Sequence, residues 1–194
     1  MAEVRSTFQL APGQTAPDFA LPDASGHIHS LGELRDGAVG IIVVFVCNHC
    51  PYVIHLATAL GALAKEMDGR GIRTVAISSN DVAKYPADAP SKMAIFATEH
   101  GWDFPYLYDE SQAAALAYAA ACTPDFYLFD GEGKLAYAGE FDETRPGRGT
   151  KPTGTALRVA CEAMLADQPV PQPWYPSSGC NIKWKPGAEP DYLG

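Results

Sequence analysis

Residues 43–53 read VVFVCNHCPYV, two cysteines three positions apart directly behind an apolar run. The run itself, Ile41 to Val46, is six apolar residues rich in β-branching, which predicts a strand buried on both faces at the centre of a parallel sheet. Behind the cysteines, Val53, Leu56, Leu60, Leu63 and Met67 recur at helical spacing, and Gly69 and Gly71 end the pattern. Pro51 suits the first helical turn, where the N–H it lacks has no partner to serve. A sulfur at such a strand-to-helix junction meets unpaired N–H groups and a partial positive charge, which favour the thiolate. This reading expects Cys47 as the attacking thiol and Cys50, one turn on, as the thiol that closes the disulfide. Between them, Asn48 and His49 would tune the pair, since an imidazolium beside Cys47 stabilises its thiolate and raises the reduction potential.

Outward from this block, Val75–Ile77 predicts a short strand and residues 81–90, with Pro86 and Pro90, a loop. A helix over 91–100 closes at Gly101, Phe104–Tyr108 reads as an edge strand, and Asp109 or Ser111 would cap an alanine-rich helix ending near Ala121. Phe126–Phe129 and Lys134–Ala138 flank Asp130-Gly131-Glu132-Gly133 as an antiparallel hairpin, and Leu157, Ala160, Cys161, Met164 and Leu165 mark a last helix. Upstream, Ala24-Ser25-Gly26 signals a turn before a short strand at 27–31. Alternating strands and helices with a terminal hairpin predict an α/β domain with a mixed sheet. The composition changes at Asp167, so the expected division is a domain over 1–166 and a proline-rich tail over 167–194. Trp174, Tyr175, Ile182 and Trp184 are the expected anchors of that tail.

The chain has 194 residues and a formal net charge of −9, which argues against a nucleic-acid partner. MAEVRSTFQL lacks the layout of a secretion signal and no stretch has the length of a membrane span, so a cytoplasmic protein without a membrane partner is expected. Five cysteines (47, 50, 122, 161, 180) do not suggest a disulfide framework. No second Cys-x-x-Cys accompanies the first, and no resident metal or cofactor is expected. A dithiol beside His49 still binds soft ions well, so a copper(I)- or zinc-binding delivery or sensing protein stands as an alternative of another class. His27 and His29 are expected as solvated imidazoles on a hairpin, His55 as solvent-facing, and the loop 145–151 (RPGRGTK) as solvated.

Cys122-Thr123-Pro124 precedes the Phe126–Phe129 strand. An X–Pro bond tolerates the cis form, and a cis Pro124 would turn the Thr123 backbone toward the cysteine pair, where an extended substrate could pair with it. Thr123 and Pro124 are therefore the expected substrate-binding residues. Cys122 reads as a buried thiol or a further redox thiol, and Cys161 as core.

Taken together, APDFALPDASG, CNHCPYV, SSND…YP, CTPDFYLFD and GC-x-IKW resemble the bacterial peroxiredoxin-like, redoxin-type members of the thioredoxin superfamily, from about residue 12 to 185. The resemblance implies a thioredoxin fold, a central mixed β-sheet flanked by helices, with an N-terminal extension, a mid-chain insertion and an extended C-terminal tail. By position it makes Cys47 the attacking thiol, Cys50 the resolver and Pro124 the cis proline. The chain departs from the peroxiredoxin pattern Pro-x-x-x-Thr-x-x-Cys, with Gly40 and Val44 at the proline and threonine positions. The implied activity is thiol–disulfide exchange with protein or small-molecule disulfides and a thiol reductant; peroxide reduction at Cys47 is the alternative within enzymes. Cys180, in SSGCNIKW, is read as either an inert docked thiol or a third redox thiol.

Overall fold

In the computed structural model, which describes residues 3–193, the chain passes through β1 (Glu3–Arg5), β2 (Ala20–Pro22), β3 (Ile28–Ser30), α1 (Leu31–Arg35), β4 (Gly40–Phe45) and α2 (Pro51–Asp68). It continues through β5 (Ile72–Ser78), α3 (Pro90–Glu99), β6 (Tyr106–Tyr108), α4 (Ala113–Ala117), β7 (Cys122–Thr123), β8 (Asp125–Asp130), β9 (Leu135–Gly139), α5 (Thr155–Leu165) and β10 (Ser178–Asn181). The main sheet has the order β6-β5-β4-β8-β9: β4, β5 and β6 run parallel, and β8 and β9 are antiparallel additions. The IIVVFV run supplies its central strand, with both faces buried. Ile42, Val44 and Val46 face the cluster beneath α2 and α5, while Ile41, Val43 and Phe45 face the opposite one with Tyr118 and Phe129. That two-sided burial is why the strand reads as a continuous apolar run instead of an alternation.

All five residues of the α2 stripe are buried, Leu60 and Met67 completely. Each such side chain removed from water contributes about 1.5–3 kcal/mol, enough to hold the helix against the sheet and fix the position of its first turn. Gly61 lets α2 approach the loop at His100–Gly101, whose carbonyl oxygens would lie within about 3 Å of an added Cβ.

Several expectations change in extent. The strand expected at 75–77 spans Ile72–Ser78, paired with β4 along its length, and the one expected at 104–108 shortens to Tyr106–Tyr108 at the sheet edge. The alanine-rich helix stops at Ala117, since Ala119 turns to φ +49° and sends Ala120 and Ala121 into the core. Asp109 and Ser111 both serve its start, accepting from the N–H groups of Ala115 (3.0 Å) and Ala113 (3.2 Å).

The tail docks through Ile182 and Trp184, two of its expected anchors, and also adds a strand that its sequence did not disclose. Ser178–Asn181 forms the middle strand of a three-stranded antiparallel sheet, β1-β10-β7, and Ile182 and Trp184 enter the second core cluster. Tyr175 is 61% exposed and holds the tail through its carbonyl, which accepts from the Glu140 N–H at 2.9 Å, not through its ring, whereas Trp174 packs edge-on against Tyr137. No helix of the described residues is long and apolar enough to cross a membrane.

Candidate functional site

The two cysteines sit where β4 gives way to α2, and both are buried with free thiols. The helix starts later than its sequence suggests. Pro51 is its first residue, so Cys50, and not Cys47, is the N-cap. The Cys50 thiol closes no cap hydrogen bond. The helix-end argument for a reactive Cys47 therefore fails in its geometry, and other groups must distinguish the two sulfurs.

Thr123 is one of them. The Thr123–Pro124 bond is cis, and the Thr123 carbonyl lies 3.1 Å from Cys50 Sγ while its hydroxyl lies 3.5 Å from Cys47 Sγ. The two thiols titrate as a pair. With the shared proton on Cys47, its donation holds Cys50 down to about 5, and the same hydrogen bond, burial and the Asp88 carboxylate push Cys47 well up. The contacts with Thr123 favour the other placement. A carbonyl oxygen only accepts, so Cys50 at 3.1 Å must keep its proton, while the threonine hydroxyl can donate to a Cys47 thiolate. A carbonyl contact has one possible polarity and a thiol–thiol contact has two, so the geometry favours Cys50 as the thiol that keeps its proton and Cys47 as the one able to lose it.

Asp88 is the residue that the sequence did not disclose. Fully buried, it accepts from Asn48 N–H (2.8 Å) and His49 N–H (3.3 Å) on Oδ1, and from His49 Nδ1 (2.7 Å) and Asn80 Nδ2 (2.8 Å) on Oδ2. It thus fixes both residues between the cysteines. The His49 ring is further held by stacking on Tyr85, with centroids 5.5 Å apart. A His49 ring nitrogen, Cys47 Sγ and an Asp88 oxygen lie within 4.8 Å of one another. With Nδ1–H given to Asp88, Nε2 is buried without a partner among the described residues, leaving the imidazole able to take a proton. Asn48 is a strut: its side chain donates to Ala87 O and accepts from Tyr106 OH. The same trio could be read as metal ligands, but both Asp88 oxygens already accept two N–H donors each.

The remaining expected site residues separate. Cys180 joins the pair: it lies opposite Thr123 in the strand pairing and is buried in one cluster with Cys47 and Cys50, and burial, followed by the neighbouring Cys50, pushes its thiol up to about 12. Cys122 is fully buried, pushed well up by burial, and donates to Pro124 O at 3.5 Å. The Thr123 edge is not open to a substrate, since Cys180 pairs with it. Cys161 lies in the core under α5. His27 and His29 pack edge to face, and His29 pairs with Asp23 at 3.0 Å, holding that carboxyl well below the usual range, so the two imidazoles are not simply solvated. His55 accepts or donates to Thr144 Oγ1 at 2.9 Å, and Arg145 of the basic loop pairs with Glu140 at 2.7 Å.

Against known proteins, the AhpC/TSA family model matches residues 12–138. The solved structure of an uncharacterized conserved protein from Geobacillus kaustophilus is 44% identical, covering 97% of this chain and 99% of that one with a TM-score of 0.92. A Mycobacterium tuberculosis protein named as a peroxiredoxin is 31% identical over 114 residues, 59% of this chain and 67% of its own length. The thiol-disulfide oxidoreductase ResA of Geobacillus kaustophilus is 28% identical over 129 residues, 65% of this chain and 67% of its own.

Proposed function

Because the chain belongs to the AhpC/TSA family, as a redoxin-type member of the thioredoxin superfamily, we propose that it is a thiol–disulfide oxidoreductase working through Cys47 and Cys50. The observation that carries this reading is the pair of free, buried thiols bridged by Thr123 beside a histidine held by a buried carboxylate.

The chemistry follows from the placement of protons. His49 takes the Cys47 proton, and the Cys47 thiolate attacks one sulfur of a substrate disulfide. The substrate S–S bond breaks, the first substrate thiolate leaves with a proton, and a mixed disulfide forms on Cys47. Cys50 then gives up its proton and attacks the Cys47 sulfur. The Cys47–Cys50 disulfide forms and the second substrate thiol departs, so two electrons have passed to the substrate. A thiol reductant restores the pair, and the reverse sequence oxidises a dithiol.

Peroxide reduction is less well supported. Val44, at the position where peroxiredoxins have threonine, is fully buried within β4 and offers no hydroxyl to a peroxide.

The test is trapping. Cys50→Ser should accumulate a mixed disulfide on Cys47 with oxidised glutathione, while Cys47→Ser should not turn over. Accumulation on Cys50 in Cys47→Ser, with none on Cys47 in Cys50→Ser, would reverse the roles. Consumption of hydrogen peroxide by the reduced protein at a rate matching its disulfide exchange would favour the peroxidase reading instead.

A further inference from the structure

A strand from the C-terminal segment occupies the Thr123 edge, which the sequence expects an extended substrate backbone to use. β10 pairs antiparallel with β7, placing Cys180 opposite Thr123 and Asn181 opposite Cys122. The fit is close: a Cβ on Gly179 would stand 2.0 Å from the Thr123 carbonyl oxygen, so the strand can seat there only with glycine at that position. This register sets Cys180 opposite Thr123, whose carbonyl oxygen lies 3.1 Å from Cys50 Sγ, and buries Cys180 in the same cluster as Cys47 and Cys50. The strand therefore brings a third thiol to the cysteine pair.

The strand is held on both flanks. On one side Glu3, Val4 and Arg5 pair with Cys180, Gly179 and Ser178. On the other, the Lys183 N–H donates to Asn80 Oδ1 at 2.8 Å, and Asn80 Nδ2 donates to Asp88 at 2.8 Å. The segment that positions Cys180 thus shares a hydrogen-bond chain with the carboxylate that positions His49.

We propose that Cys180 is a third exchange thiol of this site, converting a Cys47–Cys50 disulfide into Cys50–Cys180 on a strand that occupies the place of a bound substrate. The inference rests on the reading of Cys47–Cys50 as a dithiol pair. In the step, Cys180 Sγ attacks Cys50 Sγ. The Cys50–Cys180 bond forms, the Cys47–Cys50 bond breaks, and Cys47 leaves as a thiolate that receives the proton Cys180 gives up. No electrons are gained or lost overall, and no co-reactant enters. The product is a form with Cys47 free and the strand bound covalently across the Thr123 edge. A disulfide or dithiol substrate can reach that edge only after a thiol reductant opens the bridge and the strand lifts.

The experiment maps disulfides in the full-length protein. The reduced protein is treated with oxidised glutathione, quenched with acid, alkylated and digested, and bridged peptides are identified by mass. Cys50–Cys180 is expected beside Cys47–Cys50 in the wild type, and as the sole internal bridge in Cys47→Ser. Gly179→Ala should move the strand off Thr123, removing Cys50–Cys180 while leaving Cys47–Cys50. If wild type forms Cys47–Cys50 but Cys180 stays free there and in Cys47→Ser, the third thiol is refuted while the dithiol reading stands. If neither Cys47 nor Cys50 forms an internal bridge in the wild type, the dithiol reading falls and the inference falls with it.

Discussion

In the proposed exchange, His49 and Asp88 divide the work of making a buried thiol reactive. Burial alone opposes a thiolate, and the nearby Asp88 charge adds to that opposition at Cys47. The neighbouring imidazole would make the carboxylate an orienting group, because Asp88 accepts Nδ1–H and so sets the ring's direction. His49→Gln keeps a polar side chain but cannot take the Cys47 proton. Its rate with a small disulfide should fall by roughly a hundredfold at pH 7, the usual scale for losing a general base. The pH–rate profile decides the cause: the variant's rate should keep rising past the ordinary thiol range near pH 8.5, because burial and the Asp88 charge still oppose the Cys47 thiolate. A uniformly lowered profile with an unmoved inflection would make His49 a packing residue instead. The cysteines and His49 are legible because they are adjacent in sequence and their chemistry is local. Asp88 is not, because it sits 39 residues beyond His49 in a proline-rich loop and reaches the site through the fold. The SSND…YP block was the available signal, since its Asn80 is the residue that ties Asp88 to the tail.

Among the elements, β4 and α2 were legible because each carries its own periodicity, and burial follows that period residue by residue. β10 was not, for a physical reason. Its four residues, Ser-Gly-Cys-Asn, have no alternation, and the strand exists only because β1 and β7 flank it on both sides. α4 was overread because alanine favours helix locally, while Tyr118, fully buried beside Phe45 and Phe129, draws the chain inward at the next turn. At the start of β8, Asp125 carries a testable consequence of being packed behind β7. Burial pushes its pKa up to about 6, and Oδ1 has no hydrogen-bond partner among the described residues. The folded state thus binds the proton more tightly than the unfolded chain. The resulting stability is fully present below pH 3.8 and is lost as pH rises through about 6. A shift of about two units corresponds to about 3 kcal/mol. Asp125→Asn removes this titration, so the stability difference between wild type and variant, from urea unfolding, should change by that order between pH 4 and pH 7 and stay flat above. A difference that does not vary with pH would mean Asp125 is ionised throughout.

At the scale of the whole molecule, the last segment behaves as part of the core. Ile182 and Trp184 are buried in the cluster that also contains Leu10, Phe19 and Leu31, and the Gln112 side chain ties down the Lys183 carbonyl and the Lys185 N–H. The composition change at Asp167 marks a change in how the chain is held, from periodic elements to single buried anchors, and proline there limits the entropy that docking must overcome. An independent domain over 1–166 would survive removal of the rest, and the packing argues against that outcome. Truncation after Ala166 exposes the apolar surfaces under Ile182 and Trp184 and leaves β1 and β7 without the strand that joins them. Losing one buried isoleucine and one buried tryptophan costs about 2–5 and 3–5 kcal/mol by analogy with large-to-small core changes, against a total stability of about 5–15 kcal/mol. The truncated chain should therefore show no cooperative urea transition, or one at a far lower midpoint. Tyr175→Ala in the full chain should stay within about 0.5 kcal/mol of wild type, since that ring lies in solvent. If the truncated chain instead unfolds at the wild-type midpoint, the tail is a removable cover, and the cysteine pair should then be alkylated far faster than in the intact protein.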